Sequence, residues 1–157
     1  MRELTPIAIE VAAPRVYVFR CLTAFGEPSP IWRAGRIPEL LDRKGSVLTV
    51  RFRTRLLGRA TTTIERVRLQ PPHTISFEHV EGPFSDLREV VELTPLEGGR
   101  TRLEYRGDMV VGHRLLARIF ERLVAAPLHE REMQRRIHRW RVTIEAAARA
   151  SGMVDAS

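Results

Sequence analysis

The sequence predicts an α+β fold in which an antiparallel sheet of about seven strands is covered by one long C-terminal helix. Three observations lead to this prediction. Between Thr5 and Val111, short segments alternate polar and apolar residues, as strands of a half-buried sheet do. Gly and Pro turn signals separate these segments. From His113 to Ala150, the apolar residues recur instead with the 3.6-residue period of a helix.

The start of the chain combines a strand with short helical pieces. An alternation of apolar residues that ends at Val11 predicts the first strand. Pro14 suits the first turn of a helix, because the N–H group that it lacks has no partner there. A first short helix is therefore predicted from Arg15 to Ala24, closed by Gly26. A second short helix is expected in the segment that leads to Trp32.

The segments after Trp32 predict the remaining strands. The clearest alternation places Val50 and Phe52 on one face of a strand and Arg51 and Arg53 on the other. The turns are tight, whereas parallel neighbours need long crossovers, so the strands form an antiparallel sheet. Only the C-terminal helix is large enough to cover its apolar face. The predicted strands span residues 37–42, 46–57, 60–69, 74–80, 84–93 and 101–111.

Pro127 lies inside the predicted C-terminal helix. A proline within a helix removes a backbone hydrogen bond and clashes with the preceding turn, so a kink or short break is expected near Ala126. The half from Leu115 to Ala126 is then a candidate lid that moves separately. Residues 1–150 are expected to form one domain, and residues 151–157 a frayed tail.

Composition favours a cytoplasmic protein of one domain. The chain has 157 residues, 43% of them hydrophobic, and it contains no apolar run long enough to span a membrane and no signal-peptide pattern at Met1. Cys21 is the single cysteine, so an intrachain disulfide is excluded. The net charge of +7 comes from arginines scattered beside acidic residues, as in Glu65-Arg66, with no focused basic stripe. A solvated surface is therefore preferred to nucleic-acid binding.

Several local motifs resemble those of a known superfamily. The segment 13–19, Ala-Pro-Arg-Val-Tyr-Val-Phe, is similar to the start of the first helix in the Bet v 1-like helix-grip superfamily, also called START or SRPBCC. Trp32 stands where that superfamily often carries an aromatic residue. Segments 86–89, 94–96 and 98–101 resemble its bacterial polyketide cyclase/dehydrase branch. The resemblance implies a strongly curved sheet and, between sheet and helix, a cavity for an apolar molecule such as a lipid or a polyketide.

Candidate site residues follow from asking which polar side chains share the apolar faces. Glu89 lies on the face of Leu87 and Val91, where burial would raise its pKa and make it an acid, a base or a ligand anchor. An outward turn at a bulge, or structural neutralisation by an arginine, is the alternative. His79 is the second catalytic candidate, as a proton shuttle or as a histidine bonded to the backbone. The expected ligand-binding residues are Trp32, Phe52, Phe77, His79, Glu89, Val91, Tyr105 and Phe120.

Other kinds of site are not expected. His113 and His129 are predicted to lie on the surface, and no pair of residues has the spacing of a metal site. Neither a metal nor another cofactor is therefore expected. Three functions remain open: a carrier or sensor of a hydrophobic small molecule, a polyketide cyclase or dehydratase, and a module whose arginines bind an acidic partner. Integral membrane association is not expected, and the chain is expected to be a monomer or a homodimer.

Overall fold

A computed structural model of the chain describes residues 2–32, 35–56, 58–84, 86–109 and 124–153. The described elements, in chain order, are β1 (Arg2–Glu3), β2 (Ile7–Val11), α1 (Arg15–Thr23), β3 (Glu39–Lys44), β4 (Val47–Leu56), β5 (Arg59–Gln70), β6 (Thr74–Glu81), β7 (Leu87–Leu96), β8 (Arg100–Met109) and α2 (Ala126–Ala150). The predicted combination of sheet and C-terminal helix is confirmed. None of the described helices combines the length and the apolar character needed to cross a membrane.

The eight strands form one curved antiparallel sheet in the order β1-β8-β7-β6-β5-β4-β3. From β3 to β8, each strand pairs with its successor along the chain, as the tight turns predict. Both β1 and β2 pair with β8, with Arg2 opposite Met109 and Val11 opposite Thr101. The two short strands therefore act as one interrupted edge strand, of which the sequence predicted only the second part.

Two features of the helices differ from the prediction or extend beyond it. The second short helix is absent from described residues 24–32 and 35–38, which form turns and irregular backbone. The prolines in this segment lack backbone N–H groups, which explains why a regular helix does not form there. A kink near Ala126 cannot be compared with the structure, because residues 110–123 lie outside the described residues; Val124 and Ala125 form a wide π-type turn, and α2 begins at Ala126 with Pro127 in its first turn. Most of the proposed lid lies outside the described residues.

The core lies between the inner face of the sheet and the apolar side of α2. Ile137 and Ile144 of α2 are completely buried, or nearly so, against residues such as Val91 and Leu103 of the sheet. Two carboxylates of α2 also bind the edge of the sheet. Glu130 accepts a hydrogen bond from the Thr5 backbone N–H at 2.9 Å, and Glu145 accepts one from Ala12 at 3.0 Å. The helix is thereby held against the N-terminal strands along much of its length.

Replacing Ile144 by Ala tests how much this packing stabilises the fold. The side chain is fully buried, so its loss removes apolar contacts and leaves a cavity. We expect the free energy of unfolding to fall by about 2–5 kcal/mol, measured by urea denaturation. Val142→Ala is the control on the same helix, since Val142 is 52% exposed, and it should change stability by less than about 0.5 kcal/mol. Equal effects of the two substitutions would contradict this packing.

Candidate functional site

A cavity of about 850 Å³ separates the inner face of the sheet from α2. This volume falls within the range of small-molecule sites, roughly 300–1,000 Å³. Exposed arginines are among its lining residues, so the cavity reaches the protein surface. Its walls come from β4 to β8, from α1 and the segment after it, and from α2.

One part of the cavity wall is aromatic. Phe25 packs against Trp32 and Phe52, with ring centroids 6.3 and 5.7 Å away, and Phe52 lies 6.4 Å from Phe77. The indole N–H of Trp32 donates a hydrogen bond to the Ala24 carbonyl at 2.8 Å, which fixes the ring in place. The aromatic rings give this part of the cavity a preference for flat or branched apolar groups.

A group of five polar side chains contrasts with this aromatic region. These side chains, here called the Glu89 cluster, belong to Glu65, His79, Glu89, Tyr105 and His129. All five are buried. Glu89 is the centre, because its Oε2 lies 2.8 Å from Nε2 of His79, while its Oε1 accepts the Tyr105 hydroxyl at 2.6 Å and lies 2.9 Å from Nε2 of His129. Glu65 approaches the same ring nitrogen, with its Oε1 3.5 Å from Nε2 of His79. Glu65, Glu89 and Tyr105 line the cavity, with the two histidines behind them.

The strand register explains why these residues meet. The regular pairing of β5 with β6 runs from Gln70 opposite Thr74 to Glu65 opposite His79, and the register shifts only beyond this pair, at Ile64. Glu65 lies on the face of the buried Val67, and His79 on the face of the buried Ile75, so regular alternation along each strand turns both side chains inward. Glu89 pairs with Gly107 on β8, and a Cβ at Gly107 would lie 3.0 Å from the Tyr105 hydroxyl. Because Gly107 has no side chain, there is room for the Tyr105 hydroxyl to reach Glu89.

Burial and hydrogen bonding shift the acidities of the cluster in different directions. Burial raises the pKa of Glu89, but the hydrogen bonds from His129 and His79 and the charges on these rings outweigh it and hold the pKa well below its usual range. Burial raises the pKa of Glu65. Burial also raises the pKa of Tyr105, and the neighbouring Glu89 carboxylate raises it further. Glu89 is therefore ionised at neutral pH, and Tyr105 acts as a hydrogen-bond donor.

His79 connects the two carboxylates. Burial lowers its pKa, but the hydrogen bond to Glu89 and the charges of Glu65 and Glu89 more than compensate, so the pKa is raised. Its Nδ1 atom is buried and has no hydrogen-bond partner among the described residues. Glu65 also accepts a hydrogen bond from the Thr63 hydroxyl at 3.0 Å. The cluster is thus a nearly closed network in which the two carboxylates favour the protonated form of the His79 imidazole.

Three members of the cluster also meet a geometric requirement for a metal ion, because ligand atoms of Glu65, His79 and Glu89 all lie within 4.8 Å of one another. Carboxylates and imidazole together suit several first-row transition metals. The expectation of no metal rested on spacing along the chain. Glu65, His79 and Glu89 come from three different strands and meet only in the folded sheet, so their spacing along the chain could not reveal the group. Direct hydrogen bonding between His79 and Glu89 at 2.8 Å accounts for the grouping without a cation.

The structure brings most of the expected ligand-binding residues to the cavity. His79 contacts Glu89 from behind without lining the cavity, and Phe120 lies outside the described residues, as does His113. The residues that line the cavity as expected are Trp32, Phe52, Phe77, Glu89, Val91 and Tyr105.

Two residues were assigned wrongly from the sequence. His129 was expected on the surface but is 8% exposed, because it lies one helical turn before the buried Met133 on the same face of α2. Glu65 was counted among surface charges paired with a neighbouring arginine, yet it is 7% exposed. Its alternation with Thr63 and Val67, both buried, was a signal that could have identified it.

Known proteins share the sequence pattern of this chain as well as its fold. Residues 7–145 match the family described as "Polyketide cyclase / dehydrase and lipid transport". The chain belongs to this family. The match covers nearly all of the described sheet and most of α2, so it includes every member of the Glu89 cluster. No match was found among curated protein sequences.

Solved structures of the same fold cover almost the whole chain. The Zhui aromatase/cyclase from Streptomyces sp. R1128 is similar with a TM-score of 0.73 and 20% identity, over 94% of this chain and 93% of that one. TTHA0849 from Thermus thermophilus is similar with a TM-score of 0.72 and 18% identity, and the match covers 94% of this chain and 99% of that protein. A START superfamily protein from Mycobacterium smegmatis is similar with a TM-score of 0.68 and 18% identity, and the match covers 95% of this chain and 99% of that protein. At these identities the likeness establishes the START-like fold of this polyketide cyclase family member.

Replacing Glu89 by Gln tests the electrostatics of the cluster. In the wild type, we expect His79 to titrate above its ordinary pKa of 6.5. The substitution removes the carboxylate that stabilises the charged ring, so the pKa of His79 should fall. Titration of the imidazole resonances by NMR measures both values. Glu92→Gln is the matched control, because Glu92 lies on the same strand but pairs with Arg106 on the outer side, and it should leave His79 unchanged. An unchanged pKa in Glu89→Gln would contradict the assigned ion pair.

The same pKa shifts predict how the stability of the fold depends on pH. The contribution of Glu89 is present above about pH 4.5 and is lost as the pH falls through its lowered pKa. That of His79 is complete below pH 6.5 and is lost as the pH rises through its raised pKa. Urea denaturation at a series of pH values measures both losses, and Glu89→Gln should flatten the profile on both sides.

Proposed function

We propose that this protein binds a hydrophobic small molecule, with the apolar part in the aromatic region of the cavity and a hydroxyl or carbonyl group at the Glu89 cluster. The observation that carries the proposal is a cavity of about 850 Å³ in which apolar walls meet a buried polar cluster. Sites of this kind take their affinity from apolar contact and their orientation from a few polar groups. Tyr105 and Glu89, both on the cavity wall, are the groups that would orient the ligand.

The family match supports this proposal, since the family's description includes lipid transport as well as cyclase and dehydrase activities. A lipid and a polyketide share the required chemistry, a long or flat apolar body with oxygen at intervals. We therefore propose ligand binding ahead of catalysis, because binding requires only the shape and polarity of the cavity.

Partly blocking the cavity tests the binding function. Thr143 lines the cavity from α2, so Thr143→Phe should place an aromatic ring inside it and lower affinity for the neutral probe N-phenyl-1-naphthylamine by about tenfold or more. The measurement is the fluorescence increase of the probe on binding. Ala146→Phe is the control, because Ala146 is exposed on the same helix and does not line the cavity. Equal affinity in all three proteins would place the probe elsewhere and argue against the cavity.

A second candidate function, cyclisation or dehydration of a polyketide-like substrate, is favoured by the two buried carboxylates on the cavity wall, Glu65 and Glu89. Their surroundings move their acidities apart: burial raises the pKa of Glu65, whereas hydrogen bonds from His129 and His79 hold that of Glu89 low despite its burial. Such divergence is typical of acid–base pairs in enzymes. Glu65 is then the proton donor to an oxygen of the substrate, and the Tyr105 hydroxyl, which donates its own proton to Glu89, can accept a hydrogen bond from a hydroxyl of the substrate. The Zhui aromatase/cyclase has the same fold.

Glu65→Gln separates the two functions. An amide cannot supply the proton, so a dehydratase should lose about 10²-fold or more in rate, whereas a carrier should keep its affinity for N-phenyl-1-naphthylamine within about threefold. The reaction to follow is loss of water from 4-hydroxy-4-phenylbutan-2-one, which gives a conjugated enone with strong ultraviolet absorbance. A wild-type rate equal to that in buffer, with probe binding intact, would leave the carrier function and count against the dehydratase.

A further inference from the structure

Arg136 is a charged residue of the cavity wall that the proposed function does not yet use. It lies on α2, half-buried, with Met133 one turn before it and Trp140 one turn after it, and all three line the cavity. Within the described part of the chain, Arg136 forms no hydrogen bond and no ion pair. It is nevertheless close enough to Glu65 and Tyr105 to influence their ionisation. Arg136 is thus a donor for which the described residues provide no acceptor.

The acids around Arg136 are already occupied. The carboxylate of Glu89 receives hydrogen bonds from Tyr105 and the two histidines of the Glu89 cluster. Glu65 accepts the Thr63 hydroxyl and faces His79. Glu132, one turn before Arg136 on α2, pairs with Arg139 at 3.5 Å. The acids of the cavity wall therefore leave the Arg136 guanidinium uncompensated.

The whole cavity has an excess of positive charge. Five arginines line it, and only Arg139 forms an ion pair among the residues that the structure describes. The acids on the wall are Glu65, Glu89 and Glu132, and burial favours the neutral form of Glu65. A cavity with low-dielectric walls and one sign of charge concentrates ligands of the opposite charge. The lining arginines are Arg36, Arg53, Arg55, Arg136 and Arg139.

We propose that the ligand is an amphipathic anion, whose acidic group pairs with Arg136 while its apolar body occupies the aromatic region of the cavity. This inference rests on the proposed function, since it specifies the class of molecule that the cavity binds. A guanidinium offers several N–H donors in a planar fork that matches the oxygens of a carboxylate, sulfonate or phosphate. The ligand anion supplies the acceptor that Arg136 lacks, and the half-buried site strengthens the pair relative to one in open solvent.

Two fluorescent probes with the same apolar body test the inference. 8-Anilino-1-naphthalenesulfonate carries a sulfonate that N-phenyl-1-naphthylamine lacks. We expect the wild type to bind the anionic probe about tenfold or more tightly than the neutral one. Arg136→Gln should abolish this preference by weakening the anionic probe about tenfold, and should change the affinity for the neutral probe by less than about twofold.

Arg135→Gln is the matched control. Arg135 is the preceding residue of the same helix and is exposed, so this substitution makes the same change of net charge outside the cavity. It should leave both affinities within about twofold. Equal losses in the two variants would attribute the preference to net charge and overturn the inference. Equal affinity of the wild type for both probes would do the same.

Two further measurements provide for the case in which Arg136→Gln does not fold and extend the test to a carboxylate. If Arg136→Gln does not fold, Arg136→Lys keeps the charge without the planar fork and should bind the anionic probe less tightly than the wild type. Competition by 2-naphthoate against 2-naphthamide repeats the comparison for a carboxylate, and the naphthoate should displace the neutral probe at lower concentration. If neither probe binds the wild type, the proposed function itself fails. If the neutral probe binds and no anion preference is found, only the present inference fails.

Discussion

The ionised carboxylate of Glu89 is the constraint around which the interior is arranged. A buried charge is costly unless it is paired and hydrogen-bonded, and Glu89 meets this requirement with three partners, His79, Tyr105 and His129. Those partners come from two neighbouring strands and from the long helix α2. Satisfying one carboxylate therefore fixes the distance between sheet and helix at this point, and the same requirement keeps polar groups on the wall of an otherwise apolar cavity.

Stability and binding place different demands on this region. The contacts of Ile144 and Ile137 stabilise the packing of α2, whereas the space between the aromatic residues and the Glu89 cluster remains unfilled by side chains. A well-packed core would fill such a space, since voids lose dispersion contacts. The chain belongs to the family described as "Polyketide cyclase / dehydrase and lipid transport", and because a fold alone does not specify function, the polar groups at the cavity wall have to be considered in their own right. In this chain those groups are two carboxylates of differing acidity, a tyrosine and an arginine without a partner among the described residues.

Site residues could be predicted from the sequence only where local periodicity places them on a buried face of a strand or helix. Glu89 and Tyr105 were found because each shares one face of a regular strand with apolar residues, and both line the cavity. Glu65 was missed although it alternates with the buried Thr63 and Val67, because its charge and the adjacent Arg66 favoured a place on the surface. His129 was missed for another reason: Pro127 was taken as an interruption of the helix, which obscured its helical spacing from Met133.

The amino-acid sequence by itself determined the element types, the antiparallel pairing of neighbouring strands and the apolar faces, because these depend on periodicity and turn chemistry within a few residues. It also determined the strong positive charge of the chain. Only the tertiary structure decided which charges meet in the interior. Glu65 and Glu89 lie on two different strands, far along the chain from His129 and Arg136 of α2, and their grouping depends on strand pairing, on sheet curvature and on the rotation of α2 about its axis. These are collective results of packing, so only the tertiary structure could add Glu65, His129 and Arg136 to Glu89 and Tyr105, which strand periodicity had already identified.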